Sequence, residues 1–352
     1  MTIHAYTSFS FSYLNRARVL AATLRQHHPD WTLWAVVTDA APDTMPMDWT
    51  SEGFDRVIFS NDLMGKDADA WLFGHNIVEA CTAVKGAAAA HILAENDCKK
   101  LLYFDPDIAI FNPMDDVVAA LETHSIVLTP HQTAPAERDN RQSILDNEIS
   151  SLMHGAYNLG FIAMANTEEG RRFAGWWDDR LRDWCQDRKE IGVFVDQKWC
   201  DLIPCFFDDV KILRDPGYNV ASWNLSHRTL TFDPEGLALV NGRPLRFFHF
   251  TKLGAVGDTM TKRYAGDNFE VFELWAWYKS QVEAETDPNI PAGYWRYGTF
   301  DNGVPIPDEA RRLYRERVDL RKAFPNPIAV DDGYFGWLKA ETDILTTEGP
   351  HD

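Results

Sequence analysis

Between Lys100 and Asn112 the chain reads KLLYFDPDIAIFN, a stretch that few folds accommodate. Leu101 to Phe104 is continuously apolar, Asp105-Pro106-Asp107 follows, and Ile108 to Phe111 is apolar again. An unbroken apolar run this short suits a strand covered on both faces, the central position of a parallel sheet. Pro106 has no N–H to give to a ladder and holds a fixed φ, so the strand is expected to stop beside it. Two carboxylates then stand where a buried strand ends. In open α/β sheets that is where ligands bind, and the pair offers hard oxygen donors for Mg²⁺ or Mn²⁺. A plain turn with a helix cap is the alternative, since Asp and Pro are ordinary turn residues. Another Asp-x-Asp, Asp67-Ala68-Asp69, follows Gly65-Lys66 in polar sequence and reads as a solvated loop.

The sequence before this strand supplies layers for it. Ile3 to Ser8 reads as a strand and Tyr13 to His27 as a helix with Leu14, Ala17, Ala21 and Leu24 on one face. Trp31 to Val37 is a second strand, and strand, helix, strand implies a parallel sheet with right-handed crossover. A Pro-bearing loop, Ala41 to Gly53, leads to a third strand at Arg56 to Ser60, and an Ala-rich helix carrying Lys85 spans about Asn76 to Glu95.

Beyond the organising strand, Ser125 to Leu128 and Gly155 to Met164 read as strands separated by a polar loop, Thr129 to Asp146. Glu168 to Asp187 is an amphipathic helix expected to face Phe173, Trp176, Trp177, Leu181 and Trp184 inward. A short helix at Val195 to Ile203 and an aromatic strand at Arg246 to Phe250, with His249, come next. Thr251 to Tyr264 is Gly-rich and polar, carries Lys252, Lys262 and Arg263, and reads as a loop able to close like a lid. Helices around Phe269 to Glu283 and Asp308 to Phe324 form a C-terminal extension, giving a division at 1–265 and 266–352.

With 352 residues, 45% of them hydrophobic and 13% aromatic, the chain can bury a large core. A net charge of −19 disfavours nucleic acid or an anionic membrane as main partner but leaves room for one nucleotide held by a few cations. No apolar run approaches the ~20 residues of a transmembrane helix, and MTIHAYTSFSF lacks the form of a signal peptide. Five cysteines without a C-x-x-C pair fit reduced thiols in a cytoplasmic protein.

Together these segments resemble the GT-A fold nucleotide-sugar glycosyltransferases, most closely a family 8-like pattern, over roughly residues 1 to 260. The first strand ends in Thr7-Ser8 with Tyr13 opening a helix. Lys85 precedes the metal strand, Tyr103-Phe104-Asp105-Pro106-Asp107 matches aromatic-Leu-Asp-x-Asp with Phe for Leu, Asn158-Leu159-Gly160 matches Asn-x-Gly, Asp196-Gln197 opens a helix, and His249 stands as the late histidine. The family's His-x-x-Gly-x-x-Lys-Pro-Trp is not reproduced, because Gly254 is displaced and no Lys-Pro-Trp follows.

The resemblance implies an α/β, Rossmann-like, mixed and mostly parallel sheet flanked by helices. It implies Mn²⁺ or Mg²⁺ on Asp105, Asp107 and His249, and donor contacts from Thr7, Ser8, Tyr13, Lys85, Asp105 and Lys252. Asn158, Asp196 and Gln197 are the expected catalytic group, Asn158 and Asp196 orienting the transferred sugar or Asp196 acting as base. The substrates implied are a nucleoside diphosphate sugar, UDP-linked in first place, and a glycan or lipid-linked acceptor. The setting implied is surface polysaccharide synthesis in the cytoplasm or at the inner membrane face. Competing readings are a core role for His249, a cap at Asn158 or Asp196, and a surface position for Lys85. At the level of function they are a haloacid dehalogenase-like phosphatase with Asp105 as nucleophile, or a non-catalytic sugar-binding subunit.

Overall fold

The computed structural model describes residues 2–42, 47–49 and 51–345; the Ala41 to Gly53 loop lies partly outside them. Along the described residues the strands are β1 Ile3–Phe9, β2 Thr32–Val37, β3 Arg56–Phe59, β4 Lys100–Phe104, β5 Ile108–Ile110, β6 Ile126–Pro130, β7 Tyr157–Ala165, β8 Asp187–Arg188, β9 Val193–Phe194, β10 Val210–Ile212, β11 Leu230–Phe232, β12 Ala238–Val240, β13 Arg243–Pro244 and β14 Phe247–His249. Seven form one sheet in the order β10-β6-β7-β4-β1-β2-β3. β7 runs antiparallel to β4 and β6, and the other neighbours are parallel. This is the mixed, mostly parallel sheet expected from the sequence.

β4 is covered on both faces, which is why its sequence is apolar without alternation. Leu102 and Phe104 pack with the Leu14–His27 helix through Leu14, Ala17, Leu20 and Leu24. Leu101 and Tyr103 face the other way, onto Val84 and Ala88 of the Ile77–Leu93 helix and Phe173, Trp177 and Leu181 of the Glu168–Trp184 helix. The Ile77–Leu93 helix starts at a capping box: Asn76 accepts from the Glu79 N–H at 2.9 Å, and the Glu79 carboxylate reaches back to the Asn76 N–H at 3.4 Å.

The chain turns to β2 and β3 on one side of β1 and to β4 on the other. That reversal opens a crevice at the C-terminal ends of β1 and β4. Past Pro106 the chain continues as β5, which pairs antiparallel with β14 and sets His249 opposite Ile108. Phe248 and Phe250 are buried under Val271, Leu274, Trp275 and Tyr278 of the Phe269–Ala284 helix. The helices Asp308–Glu316 and Tyr334–Glu341 pack on Leu72, Phe73 and Ala80.

Several local expectations need correction. Thr251 to Tyr264 is a short turn followed by the Ala255–Ala265 helix, because Gly254 at φ 132° begins a run without Pro or Gly clusters. Asp69 lies in the Ala68–Phe73 helix and accepts from Tyr297 Oη at 2.6 Å, so it is not in a solvated loop. Trp184 is 51% exposed, since the Glu168–Trp184 helix outruns the surface it covers. The helix expected from Val195 begins at Lys198 as a tight turn and runs on to Phe206, with Val195 at φ 36°. Among the described residues no helix is long and apolar enough to cross a membrane.

Candidate active site

The turn at Pro106 ends β4 as expected, with the Ile108 N–H donating to Asp105 O at 3.2 Å. Its two carboxylates meet an imidazole 142 positions further along the chain, carried in by β14. His249 Nε2 stands 3.0 Å from Asp107 Oδ1 and 3.7 Å from Asp105 Oδ2. One ligand atom from each of Asp105, Asp107 and His249 lies within 4.8 Å of the other two. Two hard oxygens and one borderline nitrogen suit Mn²⁺ and, less well, Mg²⁺.

Asp107 and His249 are paired electrostatically. Burial lifts the Asp107 carboxyl, but the adjacent His249 outweighs it and the pKa falls below the usual range. Burial works against charge on His249, yet Asp107 prevails and its pKa is raised.

Lys85 is 1% exposed, so the surface reading of this residue is wrong. Its Nζ lies 3.0 Å from Asp105 Oδ1 and 2.9 Å from Asp196 Oδ2, and donates to Leu159 O at 3.0 Å. Three acceptors thus surround the ammonium, which also rests 4.3 Å from the Tyr103 ring centre. Burial disfavours its charge, but the two carboxylates raise its pKa and keep it an ammonium. Asp196 shares that cation with Asp105, so burial dominates there and pushes the carboxyl up to about 6.

The other expected residues divide into those on the cleft wall and those behind it. Ser8, Tyr13, Lys85, Asn158, Asp196, Gln197 and Lys252 line one cleft of about 790 Å³ with the Asp-Asp-His group. Thr7 does not line it; it is fully buried. Ser8 donates to Cys81 O at 2.6 Å and sits 3.0 Å from Tyr103 Oη, which donates to Asp105 Oδ1 at 2.5 Å. Tyr13 is half-buried, with the Arg16 guanidinium 4.1 Å from its ring centre.

Asn158 and Gln197 have their amides engaged. Gln197 accepts from Leu159 N at 3.1 Å and donates to His154 O at 3.0 Å. Of the three cations expected in the lid, Lys252 alone is on the cleft. Arg263 is tied to Asp146, and Lys262 is exposed elsewhere.

Sequence reasoning missed His131, Trp223 and Asn219. His131 and Trp223 line the cleft, and the Trp223 ring meets His249 edge-on at 5.3 Å. Asn219 lies behind Asn158 with φ 50°, a left-handed conformation that Asn tolerates. The run Asp215-Pro216-Gly217-Tyr218-Asn219 signals a turn but nothing about its place.

No protein-family model matches the chain. Over 174 residues, 49% of its length, it is 26% identical to the uncharacterized protein YfnF of Bacillus subtilis (strain 168), and the match spans 56% of YfnF, little more than half of that relative. A second uncharacterized protein of that organism, YfnD, is 24% identical over 258 residues, 71% of this chain and 78% of YfnD. Among solved structures it is similar to the galactosyltransferase LgtC in complex with donor and acceptor sugar analogs, at 14% identity and TM-score 0.48 over 82% of this chain and 98% of that one. It is also similar to the glycosyltransferase GlyE of Streptococcus pneumoniae TIGR4, at 15% identity and TM-score 0.44, covering 80% of this chain and 64% of GlyE.

Proposed function

We propose that this chain transfers a glycosyl group from a nucleoside diphosphate sugar to a hydroxyl of a glycan or lipid-linked acceptor, with Mn²⁺ or Mg²⁺ held by Asp105, Asp107 and His249. A UDP-sugar is the first donor to test, and surface polysaccharide synthesis in the cytoplasm is the setting we assign. The observation that carries the reading is the convergence of two carboxylates and one imidazole within 4.8 Å, in the wall of a cleft at the sheet's switch point.

Breaking a glycosyl–phosphate bond loads negative charge onto the departing diphosphate. A divalent cation on this group supplies Lewis-acid stabilisation of that charge, stronger in a partly dry cleft than in water. Asp105, Asp107 and Asp196 set against Lys85 leave two negative charges, the complement of one divalent ion.

We assign the protein's own residues as follows. Lys85 holds Asp105 and Asp196 in place from beneath, buried between them. Lys252, exposed on the cleft wall, meets the diphosphate. Tyr13 packs on the nucleoside. Asp196 is 2% exposed and faces Lys85, which supports a role in holding that cation over one as acceptor base.

The test is hydrolysis of a panel of nucleotide sugars with Mn²⁺, set against p-nitrophenyl phosphate. Cleavage of a sugar donor that EDTA abolishes supports the reading. Monoester cleavage without donor cleavage supports the phosphatase, and neither activity supports a non-catalytic subunit.

A further inference from the structure

The ring of His249 is held from its far side by an amide whose orientation is fixed. Asn158 Oδ1 accepts from the backbone N–H of Gly160 at 3.1 Å, and a backbone amide can only donate, so that atom is the oxygen. Asn219 Nδ2 donates to the same oxygen at 3.0 Å and to Thr129 Oγ1 at 2.9 Å. His249 Nδ1 lies 3.2 Å from it. Facing an acceptor that already takes two donors, Nδ1 must carry a hydrogen.

The other end of the amide agrees. Asn158 Nδ2 lies 3.3 Å from Gln197 Oε1 and 3.2 Å from His131 Nε2. His131 Nδ1 is 2.9 Å from Gly155 O, so it donates there and its Nε2 is left to accept. Burial drives the His131 pKa down to about 4 and keeps that ring neutral. Every hydrogen in the chain from Gly155 O through His131 and Asn158 to His249 therefore runs one way.

Packing holds the arrangement. A Cβ on Gly160 would stand 2.3 Å from His249 Cε1 and 2.8 Å from Asn158 Oδ1.

We propose that Asn158, clamped by Asn219 and Gly160, is a positioning residue that pins a hydrogen of His249 on Nδ1, so that the proton a cation displaces leaves from Nε2, which faces Asp107 at 3.0 Å, and the lone pair is freed toward the seat formed by Asp105 and Asp107. The amide is fully engaged, which assigns Asn158 to holding the ring, where the sequence implied a contact with the transferred sugar. The proposal rests on the reading of the triad as a cation site. A partner on the far nitrogen of a ligating histidine fixes its tautomer, and loss of such partners weakens metal binding 10–100-fold.

Two measurements test it. Mn²⁺ alone, without donor, is titrated into the full chain and followed by the EPR signal of the free ion. Asn158→Ala should bind 10–100-fold more weakly than wild type. Asn158→Asp, which keeps an oxygen facing Nδ1, should recover most of the loss. A folded Asn158→Ala protein that binds Mn²⁺ like wild type overturns the proposal.

The second measurement needs no variant. In long-range ¹H–¹⁵N spectra of metal-free protein labelled in histidine, His249 Nδ1 should be protonated and hydrogen-bonded. An unprotonated Nδ1 overturns the proposal. Failure of wild type to bind Mn²⁺ at all, with Nδ1 protonated, instead removes the cation reading and leaves the hydrogen-bond assignment standing.

Discussion

At Lys85 one ammonium is shared by two carboxylates inside the protein. Removing it leaves both without compensation, which at a buried pair costs about 3–5 kcal/mol. Lys85→Met should therefore lower the urea midpoint strongly, and an unchanged midpoint would show that the pair contributes nothing. Asp107 differs, because it sits at the cleft, where water can replace it. Asp107→Ala should abolish measurable Mn²⁺ binding by calorimetry while the thermal midpoint moves only a few degrees. Donor binding indifferent to both EDTA and this substitution would sink the metal site. Asp39, at the end of β2, accepts the N–H groups of Ala40 and Arg296 with one oxygen while Oδ2 has no hydrogen-bond partner, and burial lifts its carboxyl to about 7. The folded state thus holds this proton more tightly than the unfolded chain. Its contribution is full at acid pH and is lost as pH rises from about 4 through about 7. Asp39→Asn should gain in melting temperature over wild type as pH rises from 5 to 8, and a difference that stays constant across that range would refute the assignment.

Between elements, one close approach that the sequence hides is the crossing of the Ile77–Leu93 and Glu168–Trp184 helices. A Cβ on Gly86 would lie 2.4 Å from Asp178 N and 2.8 Å from Trp177 C, backbone atoms that cannot swing aside. Gly in mid-helix costs about 1 kcal/mol relative to Ala, so a helix-propensity argument favours Gly86→Ala. The crossing reverses that sign: overpacking of about 1–3 kcal/mol or more should win. A Gly86→Ala chain with a raised denaturation midpoint would disprove the contact. The strands were legible because burial on two faces writes itself as an apolar run and crossover helices as a 3.6-residue period. The Thr251 to Tyr264 segment holds a helix the sequence does not announce, because polar, Gly-bearing sequence serves a helix cap and first turn as well as a loop.

For the whole molecule, residues beyond 265 matter to the site they do not touch. Phe250 stacks on Tyr278 at 3.9 Å between ring centres, and Val271, Leu274 and Trp275 close over the strand that carries His249. Burying such side chains is worth about 1.5–3 kcal/mol each. Losing them together removes on the order of 10 kcal/mol, comparable to a whole domain's stability. A chain cut after Ala265 should lack a cooperative melt and disperse poorly in ¹H–¹⁵N spectra; a well-dispersed, cooperatively melting fragment would show the division at 265 to be a true domain boundary. The sequence by itself determined the sheet class, the strand that stops at Pro106, and the two carboxylates beside it, because each is a local consequence of apolar period, ring closure and charge. Only the tertiary structure decided that Lys85 is interior, that Asn158 lies on the cleft within hydrogen-bonding distance of the His249 ring, and that Asn219 backs it. Those outcomes depend on which distant strands pair and in what register, and on a hydrogen's direction set by a partner 91 positions away, and neither leaves a trace in neighbouring residues.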